Sequence, residues 1–171
     1  MKYLCVLFLI TSLSCKDSVK SKNVKSKEVF LNQSTYDLTY YSDWNLDDKD
    51  EYFDIESDFL LDAPSKQGFI SFGIFPFKKD YKTIVENHVK AYVGDAIENA
   101  EVTYFNSWGK YSGYGARLKG KVEGNWPGEI VTFAFSTDTS AFNVDYQILD
   151  KNMYLDQSGI DLAEQTFRLK K

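Results

Sequence analysis

The chain has 171 residues, 20 basic and 25 acidic side chains and a formal net charge of −5, with two cysteines, twelve tyrosines, thirteen phenylalanines and three tryptophans. That length suits one domain with a proper core. The acidic balance, with no clustered Lys/Arg face, excludes nucleic acid as a partner.

The first element is a leader. Lys2 supplies a positive n-region, residues 3–10 an apolar run, and residues 11–14 small residues before Cys15. The run is too short to span a bilayer. The stretch SLSC resembles a bacterial lipobox, with Ser12 where leucine is usual. The resemblance implies that Cys15 is acylated and becomes the mature N-terminus, with residues 1–15 as the lipoprotein signal. An ordinary signal peptide cut elsewhere, or an uncleaved anchor, is the competing reading. Cys5 falls inside the discarded segment, so the mature chain would keep one sulfur, the lipidated one. Each buried acyl CH₂ contributes about 0.8 kcal/mol, and several chains hold firmly where one binds reversibly.

Residues 16–33 read as a flexible, lysine-rich leash, because they carry too little apolar area to offset the entropy of ordering. Residues 16–28 hold five lysines against Asp17 and Glu28, a net of +3, whereas residues 29–171 hold 14 basic and 23 acidic side chains, a net of −9. A basic leash beside a lipidated cysteine suits anionic headgroups, at up to about 1 kcal/mol per charge; a merely solvated spacer is the alternative.

The domain spans residues 34–171. Residues 36–41 (YDLTYY) predict a strand, residues 42–50 an acidic turn or short helix, residues 52–57 (YFDIES) a second strand and residues 68–75 (GFISFGIF) a third. Asp80 is placed to cap a helix whose apolar positions Tyr81, Ile84, Val85, His88 and Tyr92 recur at helical spacing, with Gly94 to end it. Four strands follow over residues 100–108, 113–122, 129–136 and 141–149, joined by GKYS, EGNWPG and TDTS as turns, which predicts an antiparallel meander. Ser158 and Asp161 predict the start of a short last helix, and residues 166–169 (TFRL) a returning strand.

This is an α+β pattern, an antiparallel sheet flanked by helices. Its element order, the opening YDLTYYSDWN, the central SWGKYSGYGARLKG and the closing QTFRLKK resemble the PsbP-like fold over about residues 34–170. That fold is shared by photosystem-associated PsbP proteins, the eukaryotic Mog proteins that bind Ran, and bacterial lipoproteins of the DcrB type. Tyr41, Asp43 and Trp44 match the opening of those relatives, and Ser42 stands where they usually carry proline. The resemblance implies an α/β/α sandwich that docks onto other proteins, with no catalytic residue set to carry over.

No constellation predicts chemistry. His88 is the single histidine and reads as a core-edge residue; no free thiol, no G-x-S-x-G elbow and no phosphate-binding loop is present. The acidic run Asp47, Asp48, Asp50, Glu51, Asp54, Glu56 and Asp58 lacks the glycine of a calcium loop and reads as a solvated face, with Asp54, Glu56 and Asp58 alternating outward along a strand. Gly113 and Gly115 read as positions of a bulge or close backbone approach. No catalytic residue, metal or cofactor is therefore expected.

Aromatic side chains near the turns, Trp108, Tyr111, Tyr114 and Trp126, form the expected interaction surface. The functional expectation is a non-catalytic, membrane-anchored envelope lipoprotein that binds or supports another envelope protein. The alternative is a carrier holding a lipid or other small apolar ligand in a cleft between sheet and helix. Lys16, in place of the aspartate that retains enteric lipoproteins at the inner membrane, favours the outer membrane, facing the periplasm.

Overall fold

A computed structural model describes residues 26–47 and 54–170. The leader with Cys15, residues 16–25 of the leash and residues 48–53 of the acidic run lie outside the described residues. The nine-residue stretch AFNVDYQIL organises the main sheet. The strand it forms, β9 (Ala141–Leu149), is buried at nearly every position because it sits centrally and both its faces are covered. It is the last strand of the expected antiparallel meander, after β6 (Ile97–Trp108), β7 (Tyr111–Val122) and β8 (Trp126–Ser136). On its other side it pairs with β5 (Phe69–Phe75), which leads through β4 (Asp58–Asp62) to β3 (Asn45–Asp47), giving the order β3-β4-β5-β9-β8-β7-β6. Turn chemistry closes the last hairpin: the Thr137 hydroxyl accepts from the amides of Thr139 at 3.2 Å and Ser140 at 3.0 Å.

One face of this sheet is covered by α1 (Tyr81–Tyr92), which lies across β7 and β8. The Asp80 carboxylate accepts from the amides of Lys82 and Thr83, and the Thr83 bonds hold it below the usual carboxylate range. Val85 packs here with Ile97, Leu118, Ile130 and Leu149, all buried. The helix stops at Tyr92, and Gly94 follows with a φ of 94°, where a side chain would be strained.

The other face carries an aromatic core in which Phe72 stacks at 5.0 Å on both Phe59 and Phe167, with Trp108, Phe133 and Phe142 alongside. Burial of each such side chain stabilises by about 1.5–3 kcal/mol. A three-stranded sheet, β1 (Glu28–Asn32), β2 (Tyr36–Tyr41) and β10 (Arg168–Leu169), and the helix α2 (Met153–Thr166) close this side. The result is an α+β sandwich with helices on both faces of an antiparallel sheet.

Three expectations are corrected. Residues 28–32 belong to the domain, since β1 pairs antiparallel with β2 from Glu28 opposite Tyr41 to Asn32 opposite Asp37, and Leu31 packs on the aromatic core. Residues 54–57 form a turn instead of a strand: the amides of Ser57 and Asp58 both donate to the Asp54 carbonyl. Glu56 then accepts from the amide and hydroxyl of Ser34, so no outward row of Asp54, Glu56 and Asp58 exists. Finally, Ser158 and Asp161 lie inside α2, not at its start; β9 runs through a 3-10 turn over Asp150–Asn152 directly into Met153. Asn152 makes no side-chain cap there but donates to Gln67 at 3.0 Å. The helix start is thus set by tertiary contact, which a capping pattern does not register.

Candidate functional site: exposed aromatics and a half-buried histidine clasp

The four aromatics of the expected interaction surface do not come together. Within GKYS only Gly109 and Lys110 form the turn, so Trp108 and Tyr111 are paired strand residues, both turned into the aromatic core. Trp108 is 2% exposed. The Tyr111 hydroxyl accepts from the Leu169 amide at 2.7 Å and so holds β10, while burial pushes its phenol up. These two residues are therefore removed from the surface. Their hydrophobic area, which makes aromatics good anchors, is spent in the core instead.

Tyr114 lies on the α1 side of the sheet, half-buried, with its ring stacked at 5.4 Å and 13° on Tyr104 of β6. Tyr104 is 53% exposed, and the Lys82 ammonium approaches the Tyr114 ring at 5.9 Å. Sequence reading passed over Tyr104 because it sits mid-strand; its signal is its position directly across from a small residue, Ala116, on an edge strand. Gly115 opposite Phe105 makes the required close approach, since a Cβ there would meet the Phe105 ring at 2.4 Å. Trp126 opens β8 opposite Val122, at the other end of β7, so roughly 26 Å of strand separates it from Tyr114 at about 3.3 Å per residue. It is 42% exposed, and the Lys151 ammonium lies 3.4 Å above its ring.

The sheet face beside α1 also holds a polar cluster that sequence reading left unassembled. Thr132 on β8 and Asp145 on β9 are direct cross-strand partners, both buried. His88, reaching down from α1, places Nδ1 2.9 Å from Asp145 Oδ1 and 3.2 Å from the Thr132 hydroxyl. Asn143 donates to the other Asp145 oxygen at 2.9 Å. The hydrogen bond that Asp145 accepts raises the His88 imidazole above its ordinary value, against the lowering effect of burial. Burial, with the Asp145 charge, pushes the Tyr92 phenol up. Asp58, two strands away, is raised by desolvation first and by Asp145 second. A legible signal was present: Thr132, Asn143 and Asp145 are polar residues flanked on both sides by apolar ones within strands.

Between α1 and the sheet the space is filled by Val85, Ile97, Leu118, Ile130, Ala134 and Leu149, each at most 2% exposed. A shallow recess of about 690 Å³ at the far end is lined by polar groups including Lys78, Asp80, Ser136 and Asp138. Among the described residues no group of three or more metal-binding side chains gathers, and no helix is long and apolar enough to cross a membrane.

No protein-family model and no curated protein matches the chain. Among solved structures, cyanobacterial PsbP (CyanoP) from Synechocystis sp. PCC 6803 superposes with a TM-score of 0.51 at 13% identity, over 90% of this chain and 98% of that one. A crystal structure from Bacteroides thetaiotaomicron VPI-5482 gives 0.51 at 16% identity over 85% of this chain and 49% of that one, so the chain spans about half the length of that protein. LpqN of Mycobacterium tuberculosis, described as involved in cell envelope biogenesis, gives 0.45 at 10% identity over 86% of this chain and 92% of that one. CyanoP is matched along nearly its whole length by the same antiparallel sheet and flanking helices, and this chain therefore has the PsbP-like fold.

Proposed function

We propose that the chain is a non-catalytic envelope lipoprotein, tethered through Cys15, whose PsbP-like domain docks another envelope protein. The observation that carries this reading is the stacked Tyr104–Tyr114 pair on the open edge of the seven-stranded sheet. An aromatic pair left half in water, with a lysine at its rim, has the composition of an interface anchor. Docking uses side chains more than added strands, because register shifts between Glu98 and Glu101 and between Phe105 and Ser107 interrupt the β6 edge.

The clasp around His88 is read as structural. Thr132 and Asp145 both converge on Nδ1, so neither partner sets up a nucleophile at Nε2. The filled space beneath α1 speaks for docking over the carrier alternative. Outer-membrane attachment facing the periplasm belongs to the same proposal and is supported by Lys16 after Cys15.

Crosslinking and capture from the native envelope tests the reading. Tyr104→Ala should weaken partner capture by on the order of 2 kcal/mol, about thirtyfold, with thermal stability nearly unchanged. Unchanged capture would remove the pair as the anchor. A stoichiometric lipid found by native mass spectrometry of the purified chain would favour the carrier instead.

A further inference from the structure

The strands give the domain two ends, and one of them collects most of its exposed apolar side chains. The first described residues, Ser26 and Lys27, lie at this end, where the Ser42 amide donates to the Lys27 carbonyl and the Ser26 hydroxyl to Asp43. Leu155, in the first turns of α2, lines the same notch as Ser26 and Glu28. The turn between β7 and β8 is at this end too: the Glu123 amide donates to Ala96, just past Val93, and Trp126 follows under Lys151. Of the eight large apolar residues exposed among the described residues, five are here: Val93, Trp126, Met153, Tyr154 and Leu155. Tyr154 is 81% exposed.

We infer that this end is a lipid-facing surface that rests in the interface of the bilayer to which the chain is tethered. The inference rests on the reading of Cys15 as the lipidated residue. Ten residues lie between Cys15 and Ser26, eleven steps of chain that span at most about 40 Å fully extended. A twelve-residue strand such as β6 is itself about 40 Å long. Turning the far end to the membrane would therefore consume the whole tether in running past the domain, whereas the Trp126 end faces the bilayer without strain. Tethering at this distance keeps a weak surface contact at high effective concentration. Tryptophan and tyrosine are the side chains that settle at the headgroup level, and the Lys151 ammonium over the Trp126 ring is a cation placed where headgroups and water can hydrate it. Asp95, Glu123 and Asp150 share this end, so the contact is apolar in origin and does not depend on anionic lipid.

Of the three tryptophans, Trp44 and Trp108 are buried and only Trp126 is exposed, which makes fluorescence selective. The chain as exported and processed by a bacterial host is reconstituted into phosphatidylcholine vesicles containing brominated phosphatidylcholine. Flotation with the vesicles reports the anchor. Quenching of Trp126 by bromine high in the acyl chain, stronger than by bromine placed deep and equal with or without phosphatidylglycerol, reports the surface. Trp126→Phe should abolish this quenching, and Met153→Ser with Tyr154→Ser should reduce it with stability unchanged. If the chain fails to float because Cys15 is unmodified, the anchor reading falls, and the same chain coupled through the Cys15 thiol to a maleimide lipid still reads the orientation. Trp126 open to aqueous acrylamide and untouched by bromolipid would overturn the inference. Shielding from acrylamide without bromolipid quenching would overturn it as well, and would assign the surface to a second copy or a protein partner.

Discussion

Trp44 shows how one side chain of the opening motif acts in the fold. Its ring lies against α2 at Gly159, where a Cβ would sit 2.2 Å from the indole nitrogen. On an isolated helix Gly159→Ala would gain about 1 kcal/mol of propensity. Here the methyl must displace a packed ring, which costs typically about 1–3 kcal/mol and more when the ring cannot shift. The clash wins, and we expect a net loss of about 2 kcal/mol, a fall in melting temperature of roughly 4–8 °C for a domain of this size. A Trp44→Phe background should relieve most of that loss. An unchanged or raised melting temperature for Gly159→Ala alone would mean that the helix and ring are not in the contact described.

At the scale of elements, α1 is fastened to the sheet by an apolar stripe and one ionisable clasp. The His88 imidazole is raised by its hydrogen bond to Asp145, so the clasp's ionic contribution is complete below the unfolded value of about 6.5 and is lost as pH climbs through the raised folded value. Asp145 and Thr132 face the ring from the sheet, Tyr92 from α1 itself, and Asp58 lies near Asp145. Comparison with His88→Gln subtracts what the other groups contribute. The stability gap between the two proteins should be widest near pH 6 and shrink at alkaline pH, measured by denaturant unfolding across that range. A gap independent of pH would assign His88 a packing role only. The helix α2 has no such clasp; its buried Asp156 instead takes the Ser65 hydroxyl at 2.6 Å, tying the helix start to the β4–β5 turn.

For the whole molecule, the proposed anchor and the fold are separable. The first described strand begins at Glu28, thirteen residues after Cys15, and among the described residues every buried core residue lies beyond it. Cys15→Ser should therefore move the protein from the membrane pellet to the soluble fraction with its melting temperature unaltered. Retention of the variant in the pellet would show that something other than lipid holds it there. Together with the lipid-facing end, this arrangement would present the Tyr104–Tyr114 pair sideways, along the membrane, where a neighbouring envelope protein can reach it.

Local chemistry was enough to decide much of this protein. Alternation and turn residues placed β2, β5 and the meander, and Asp80 with a 3.6-residue stripe placed α1, because each of these depends on neighbours within a few positions. The α+β class and the PsbP-like likeness were legible for the same reason. What tertiary structure decided is which faces meet. A two-residue turn made Trp108 and Tyr111 cross-strand partners on the core side, and an edge position left Tyr104 outward. Pairing with β2 drew residues 28–32 out of the leash, since a five-residue strand orders only against a partner that supplies its hydrogen bonds and covers its apolar face. His88, Thr132 and Asp145 come from three separate elements, spread over 58 positions of chain, and only the packing of α1 on β8 and β9 brings them within hydrogen-bonding distance. Burial is a property of the assembled sheet, so a sequence can announce a strand without saying which of its aromatics the core will take.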